Sequence, residues 1–136
     1  AHAVAEQALT FEELLMRDNV KLRLNPLRTK ALLHGHCHQK AYDAMAPVEA
    51  VLKMIDGLEV STIETSCCGM AGAFGYGKDT YDVSQKMAEA DLLPKVRGAS
   101  EDTIIIANGT SCRSQIKDGT QRSAVHVANL LDQQLQ

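Results

Sequence analysis

The sequence predicts an α/β domain in which a parallel sheet of about four strands carries helices on both faces. Strand-like and helical patterns alternate along the chain, and alternation at this spacing requires right-handed crossovers between parallel strands. The 136 residues, 45% of them apolar and 23% charged, are enough for one domain with a single core. Together these observations indicate a Rossmann-like, three-layer architecture.

Four segments have the composition of strands. An apolar run, ALLH, predicts the first strand, and the second is rich in β-branched residues. The sequence TIIIAN is the clearest strand pattern of the chain, and SAVHV predicts a short fourth strand. In order, these segments are residues 31–34, 58–65, 103–108 and 123–127.

Helices are expected before the first strand and after each strand. Asp79 and Ser111 are candidate N-caps, Gly119 is a candidate stop, and Val83 and Met87 share one face of a helix. The predicted helices cover residues 4–19, 47–56, 80–93 with a restart at Pro94, 112–118 and 128–135.

The charge and hydropathy of the chain exclude several classes of protein. With a formal charge of -3 and no basic run longer than two residues, the sequence lacks the pattern that binds the phosphate backbone of nucleic acid. Its longest apolar runs, such as Ile104–Ala107, are too short to span a membrane, and the N-terminus lacks the stages of a signal peptide. We therefore expect a cytoplasmic protein without a transmembrane segment, at most peripheral to the inner membrane.

The four cysteines fall just after the predicted strands. Cys37 follows the first strand and Cys112 follows the third. The adjacent Cys67 and Cys68 follow the second. Because the C-termini of parallel strands lie along one edge of a sheet, where such folds bind ligands, the four thiols should meet in space. Without secretory features, such a set indicates metal or redox chemistry more than a disulfide framework.

The residue types favour a soft metal. Gly69 follows the Cys67-Cys68 pair and permits the turn that brings both sulfurs toward one centre. Thiolate ligands select iron-sulfur clusters, zinc or copper(I). Cys112 is expected in the first turn of a helix, whose dipole favours the thiolate form. For each cysteine taken alone, a small buried hydrophobic side chain is the alternative interpretation.

Three histidines surround Cys37 in the sequence HGHCH. In an extended segment His34, His36 and His38 alternate faces, so at most two of them point the same way. His34, at the strand end, is expected to be buried and hydrogen-bonded to the backbone rather than to be a ligand. His126 follows the fourth strand and has either a role at the same edge or a half-buried structural one.

Several motifs resemble those of the CCG-type cysteine-rich domain. They are HCH around Cys37, CCG at 67–69 and GTSCRSQI around Cys112. That family includes a component of heterodisulfide reductase and the iron-sulfur parts of glycolate, glycerol-3-phosphate and lactate dehydrogenases. The longer stretches LHGHCHQKA, CCGMAGAFGY, LLPKVR and ANGTSCR resemble the C-terminal segment of long FAD-linked oxidases, and the resemblance covers residues 10–130.

The resemblance implies a single CCG-type domain over residues 1–136, with residues 1–30 as an N-terminal helix and lead-in. Because the chain starts at Ala1 rather than at methionine, we expect a C-terminal fragment of a longer flavoprotein. In such proteins a flavin domain and a ferredoxin-like domain precede this segment, and they are its expected partners. The parent protein would then bind FAD, and its electron acceptor could be peripheral to a membrane.

The resemblance also implies the metal site. It assigns Cys37, Cys67, Cys68 and Cys112 as ligands of an iron-sulfur cluster. In the fullest form of the motif, C-x-x-C ends the sequence and five thiolates hold the cluster, but here Gln115 occupies the place of the fifth cysteine. Four thiolates are enough for a 4Fe-4S cluster or for a tetrahedral zinc ion.

Other residues are expected to bind around that cofactor. His36 and His38 could donate hydrogen bonds to sulfur or supply the missing ligand. The backbone amides from Gly69 to Ala71 could also donate to sulfur, and Arg113 could offset the negative charge of a cluster. No residue of the chain is assigned as a catalytic acid, base or nucleophile.

The expected function is electron transfer within an FAD-linked oxidoreductase that oxidises a 2-hydroxy acid such as D-lactate, glycolate or D-2-hydroxyglutarate. The alternative is a zinc-binding structural or docking domain without redox activity, which the histidine-rich turn fits equally well. Direct thiol chemistry by Cys67 or Cys68 ranks last, because no C-x-x-C is present and the sequence places no base beside them.

Overall fold

The computed structural model describes residues 2–65 and 67–136, with a four-stranded sheet at their centre. All strand pairs are parallel, and the strand order is β2-β1-β3-β4. The strands are β1 Thr29–His34, β2 Leu58–Thr62, β3 Ile104–Ala107 and β4 Ala124–Val125. The predicted α/β class with a small parallel sheet is therefore confirmed.

Helices connect the strands and precede the first of them. Within the described residues these are α1 His2–Gln7, α2 Phe11–Arg17, α3 Cys37–Ala41, α4 Met45–Leu52, α5 Tyr81–Ala90, α6 Leu92–Gly98, α7 Thr110–Thr120 and α8 Val127–Gln134, with a 3-10 turn at Phe74–Tyr76. None of them has the length and apolar composition that crossing a bilayer requires.

The sheet separates two hydrophobic layers. Leu33 and Ile106, which are paired in register, contribute to one layer, and the neighbouring pair Leu32 and Ile105 contributes to the other. Side chains alternate across a strand, so one stretch of sheet supplies both layers. Helices α2, α4 and α8 pack into the first layer, and α5, α6 and α7 pack into the second. The predicted three-layer arrangement is confirmed.

The N-terminal segment forms two helices, so the prediction of a single helix over residues 4–19 is wrong. Thr10 starts α2 with a capping box: its Oγ1 accepts from the Glu13 amide at 3.3 Å, and Glu13 Oε2 accepts from the Thr10 amide at 2.7 Å. The bonds from Thr10 also lower the pKa of Glu13. A reciprocal cap of this kind satisfies free amides at a helix start, which separates α2 from α1.

We expect Thr10→Ala to lower the free energy of unfolding by about 1 kcal/mol, because the first turn of α2 loses its cap. Chemical denaturation monitored by circular dichroism measures the change. Thr10→Ser retains the hydroxyl and is the matched control. Equal stability of Thr10→Ala and Thr10→Ser would contradict the role of the cap.

Several helix boundaries and one helix face also differ from prediction. Helix α5 starts after Thr80 rather than at an Asp79 cap. Helix α7 starts after Gly109 rather than at a Ser111 cap, and it continues through Gly119 to Thr120. The exposed fractions of Val83 and Met87 are 50% and 39%. The buried residues of α5 are instead Ser84 and Ala88, because the loop after the CCG sequence packs against that side of the helix.

Asn108 ties the end of β3 to the helices of the first layer. Its Nδ2 donates to Glu12 Oε1 at 2.7 Å, and its Oδ1 accepts from the Val127 amide at 3.1 Å. One side chain thus joins α2, β3 and α8. Asn108 lies immediately before the turn that leads into α7. Its two hydrogen bonds therefore hold the start of this turn in place.

Candidate metal centre

The four cysteines lie at the C-terminal edge of the sheet, as predicted. Cys37 begins α3 after β1, and Cys112 is the third residue of α7 after β3. Cys67 and Cys68 lie in the loop after β2. A cavity of about 390 Å³ joins them, lined by His36, Cys37, His38, Cys67, Cys68, Ala71, Gly72, Ser111 and Cys112. All four cysteines are free thiols.

Cys68 and Cys112 form the buried centre of this group. Their exposed fractions are 4% and 2%, and the Cys112 thiol donates to Cys68 Sγ with a sulfur-to-sulfur distance of 3.3 Å. That bond is the main cause that lowers the pKa of Cys68 to about 4. Burial opposes the shift, and the neighbouring His34 side chain and the Met70 amide contribute to it. The same bond raises the pKa of Cys112, together with burial and the charges of the other three cysteines. Of these two residues, Cys68 therefore loses its proton more readily. The expectation that the dipole of α7 favours the thiolate form of Cys112 stays a prediction.

Cys67 and Cys37 complete the group on the more open side. The Gly69 amide donates to Cys67 Sγ at 3.3 Å, as predicted for the amides of this turn. Burial raises the pKa of Cys67, and the hydrogen bond from Gly69 opposes this shift. The nearby Cys68 and Cys37 raise the pKa further. Both side chains are partly buried. Cys37 is therefore close enough to influence the protonation of Cys67 and also of Cys112.

His34 is part of the same group, which the sequence did not indicate. Its exposed fraction is 1%, and neither ring nitrogen has a hydrogen-bond partner among the described residues. One of its nitrogens, Cys68 Sγ and Cys112 Sγ all lie within 4.8 Å of one another. The expectation that His34 is buried is confirmed, but the expected hydrogen bond to the backbone is absent from the described part of the chain.

His36 and His38 line the mouth of the cavity. His36 caps α3, with its Nδ1 accepting from the His38 amide at 3.3 Å. The two rings meet edge to face with centroids 5.0 Å apart. Burial, followed by the neighbouring His38, lowers the pKa of His36, which favours a neutral ring at pH 7. The proposed roles of both histidines as donors to sulfur stay predictions.

Gly109 leaves room for His36 and Cys112 at the start of α7. A Cβ built at this position would lie 2.3 Å from His36 Cδ2 and 2.9 Å from Cys112 Sγ. The backbone angles of Gly109, φ -73° and ψ 128°, suit any residue. Space beside the sulfur, rather than conformation, therefore requires glycine here.

We expect Gly109→Ala to weaken metal binding by roughly 5- to 150-fold, because overpacking costs about 1–3 kcal/mol. Competition with a chromophoric chelator measures the affinity. Gly98→Ala is the matched control, since a Cβ at Gly98 meets no atom within 4 Å. Similar affinities for the two variants would show that Gly109 does not shape the site.

Gln115 holds the CCG turn in place. Its Nε2 donates to the Cys68 carbonyl at 3.1 Å and to Ser84 Oγ at 3.2 Å, and its Oε1 accepts from Gln85 Nε2 at 3.3 Å. The side chain is buried, with an exposed fraction of 3%. The residue in the place of a fifth cysteine thus positions the Cys68 peptide through hydrogen bonds. Sequence reasoning missed this role, because its partners are distant in the chain.

Arg113 and His126 have partners of their own. The Arg113 guanidinium donates to the carbonyls of Ala107 and Asn108 at 2.9 and 2.7 Å and so closes the turn before Cys112. Its predicted effect on the charge of a cluster stays a prediction. His126 caps α8, with Nδ1 accepting from the Ala128 amide at 3.0 Å, which agrees with the structural interpretation of this residue.

The donor set fits a thiophilic metal group. The four cysteines line one cavity, and the unpartnered imidazole of His34 lies close to two of their sulfurs, those of Cys68 and Cys112. A buried nitrogen without a partner is costly unless something binds it. The cavity of about 390 Å³ also exceeds the roughly 10–15 Å³ that a single water molecule needs. Fold and site together define a small α/β domain with a cysteine and histidine cluster at the strand edge.

Comparison with known proteins relates this chain to dehydrogenases. It is 31% identical over 114 residues to one subunit of the anaerobic glycerol-3-phosphate dehydrogenase of Escherichia coli K12, a match that covers 84% of this chain and 28% of that protein. It is 36% identical over 70 residues to D-2-hydroxyglutarate dehydrogenase of Pseudomonas putida, covering 52% of this chain and 7% of that enzyme. The enzyme of the same name from Haemophilus influenzae is 29% identical over 86 residues, covering 62% of this chain and 8% of the enzyme.

The chain thus spans less than a third of the length of these curated relatives. No protein-family model and no solved structure matches it. The predicted relation to glycerol-3-phosphate and 2-hydroxy acid dehydrogenases is confirmed at the level of these relatives. The assignment to the CCG-type domain stays a prediction.

Proposed function

We propose that this chain is a metal-binding, electron-transfer domain of an FAD-linked dehydrogenase and that it holds an iron-sulfur cluster of the four-iron type. One observation carries the proposal: four cysteine thiols from three separate strand-to-helix connections line a single cavity at the C-terminal edge of the sheet. The similarity to named dehydrogenases supports the redox context.

The proposed ligands are Cys37, Cys67, Cys68 and Cys112. When bound, an iron-sulfur cluster supplies one-electron redox chemistry, and the protein sets its potential. The chain contributes to that setting through its amides. Gly69 donates to Cys67, and the Met70 amide lowers the pKa of Cys68, so both amides stabilise negative charge on sulfur.

Burial is the second contribution of the chain. Cys68 and Cys112 are almost fully enclosed, whereas Cys37 and Cys67 are partly exposed. The enclosed side excludes water from the sulfurs, and the open side, with His36 and His38 at its mouth, gives an electron partner its closest approach. Electrons would therefore enter and leave on the side of α3.

The wider context belongs to the same proposal. A flavin domain in the remainder of the protein would oxidise a 2-hydroxy acid, such as D-lactate, glycolate or D-2-hydroxyglutarate, and would pass two electrons one at a time. A ferredoxin-like domain is the proposed neighbouring carrier. A cytoplasmic location, with an acceptor peripheral to the inner membrane, fits this arrangement.

A zinc-binding structural domain is the second candidate, and one observation favours it. The ligand atoms of His34, Cys68 and Cys112 lie within 4.8 Å of one another, with the two sulfurs 3.3 Å apart. Two thiolates on one tetrahedral zinc ion would be separated by about 3.8 Å, given a zinc-to-sulfur bond of about 2.3 Å. The iron-sulfur cluster is preferred because all four cysteines line one cavity of about 390 Å³ and the relatives of this chain are named as dehydrogenases.

The metal content of protein purified without oxygen tests the proposal. We expect iron and acid-labile sulfide in similar amounts, with a broad visible absorption that bleaches on reduction. Stoichiometric zinc without a chromophore would overturn the electron-transfer function and favour the structural one. Oxygen must be excluded, since exposed thiolates oxidise and lose their metal.

A further inference from the structure

We propose that His34 supplies an imidazole nitrogen as a fifth protein ligand to the metal group, beside Cys68 and Cys112. The inference deepens the proposed function and rests on it. It assigns a ligand that the resemblance does not, because the resemblance assigns only cysteines as ligands.

The first argument is the state of the His34 ring. The side chain has an exposed fraction of 1%, so water does not reach its nitrogens. Its two ring nitrogens are the only buried side-chain nitrogen or oxygen atoms without a hydrogen-bond partner in the described part of the chain. Buried polar atoms almost always have a partner, and an unpaired one is a candidate for an absent ligand. A metal bond to one nitrogen provides such a partner.

The second argument is the position of His34 in the sheet. It is the last residue of β1 and lies opposite Ala107, the last residue of β3. From that point β3 leads directly through Gly109 to Cys112 at the start of α7. The pairing of β1 with β3 and the short connection from β3 to α7 therefore bring the imidazole and the Cys112 thiol within 4.8 Å of each other. Ligands on regular elements keep their geometry better than ligands on loops.

The third argument is that two of the other candidates, Gln115 and His36, already use polar side-chain atoms in other hydrogen bonds. Gln115 makes three hydrogen bonds, in which Nε2 donates twice and Oε1 accepts once. Its side-chain amide is therefore already used and does not bind at the sulfurs. His36 uses Nδ1 to cap α3. Among the described residues, the buried group of close ligand atoms consists of His34, Cys68 and Cys112 and contains neither His36 nor His38. We therefore propose His34, rather than one of those two, in place of the fifth cysteine.

A neutral nitrogen ligand changes the electronic property of the site. A thiolate carries a negative charge and a neutral imidazole does not. Where histidines replace cysteines on an iron of an iron-sulfur centre, the reduction potential rises. Ligation by His34 would therefore give this site a higher potential than five thiolates would, without a change in the rest of the fold.

Wild-type protein labelled with nitrogen-15 in histidine provides the direct test. We expect pulsed electron paramagnetic resonance of the paramagnetic cluster to show a strong nitrogen hyperfine coupling, as a direct metal-to-nitrogen bond requires. The coupling should persist in His126→Asn, whose replacement residue can still cap α8. A coupling of only dipolar strength would show that His34 is at most a hydrogen-bond donor to sulfur, and it would overturn the proposal.

Two variants add a second readout. We expect His34→Leu to lower metal affinity at least tenfold and to lose the hyperfine coupling. His34→Cys should retain full metal content and shift the reduction potential to a more negative value. Full metal content in His34→Leu with an unchanged spectrum would overturn the proposal, and circular dichroism of each variant shows whether it has folded. The hyperfine measurement on wild-type protein needs no variant at all.

The outcomes also separate this inference from the proposed function. Loss of metal in Cys112→Ser together with full metal content in His34→Leu would support the proposed metal-binding function and refute only the ligation by His34. Absence of metal from the wild-type protein would refute both. If the protein contains zinc, cobalt replaces it as a probe, and ligation by His34 predicts a more intense sulfur-to-cobalt band in His34→Cys. An unchanged band in that variant counts against the proposal.

Discussion

Cys112→Ser should abolish metal binding at the strand edge. Cys112 is 2% exposed and is in contact with Cys68, so no other donor can move into its place without disturbing the core. A serine hydroxyl is a hard, protonated oxygen at neutral pH and is a poor ligand for metals that select thiolates. Elemental analysis after purification without oxygen measures the metal per chain, with less than a tenth of the wild-type value expected.

Ser111→Ala is the matched control for this experiment. Ser111 lines the same cavity and precedes Cys112 in α7, but it contributes no proposed ligand atom. Its replacement should leave the metal content unchanged. Full occupancy in Cys112→Ser would place the metal elsewhere and would refute the proposed site.

Gly69→Ala should cause the largest loss of stability of any glycine replacement in the CCG loop. Gly69 has φ +87°, and a Cβ there would lie 2.3 Å from the carbonyl oxygen of Ser84. The left-handed conformation costs a residue with a side chain about 1–2 kcal/mol, and the overpacking adds about 1–3 kcal/mol. Denaturation by urea should show a decrease of about 3 kcal/mol in the free energy of unfolding, within those ranges.

Gly72→Ala separates the two contributions. Gly72 also has a positive φ, +68°, but a Cβ there meets no atom within 4 Å. We expect a loss of about 1 kcal/mol, from the backbone conformation alone. Equal losses for the two variants would show that the close contact with α5 contributes nothing to stability.

The position of the cysteines was predictable because it follows from topology. Once β1, β2 and β3 are recognised as parallel strands, their C-termini must share an edge, and residues after them must meet. Cys37, Cys67, Cys68 and Cys112 could thus be grouped although they are distant in the chain. Errors of one or two residues in the strand ends do not affect this conclusion.

Contacts of long sequence range were not predictable in the same way. The bond between Gln115 and the Cys68 carbonyl joins residues 47 positions apart, and neither residue type indicates the other. The buried face of α5 is a similar case. Ser84 of α5 packs against Gly69, and this close contact requires a small residue on the buried face of the helix. The hydrophobic pattern of Val83 and Met87 therefore predicted the wrong face of α5 as buried.

His34 shows where residue statistics fail. A buried histidine usually has a hydrogen-bond partner, so the sequence favours a backbone partner for this residue. Whether a partner is present depends on the register between β1 and β3, which places His34 beside Ala107. One-residue accuracy of register is needed to see that the ring faces the sulfurs.

The distribution of the proposed ligands over three separate connections of the chain has a consequence for folding. Cys68 and Cys112 are 44 positions apart, so a metal bond to both closes a long loop of the chain. Closing long loops removes much of the entropy of the unfolded chain, and metal binding then contributes directly to folding. The metal would act as a cross-link that ties together three crossover connections of the sheet. If the proposed metal group binds, the domain would gain that group and its final rigidity in one event.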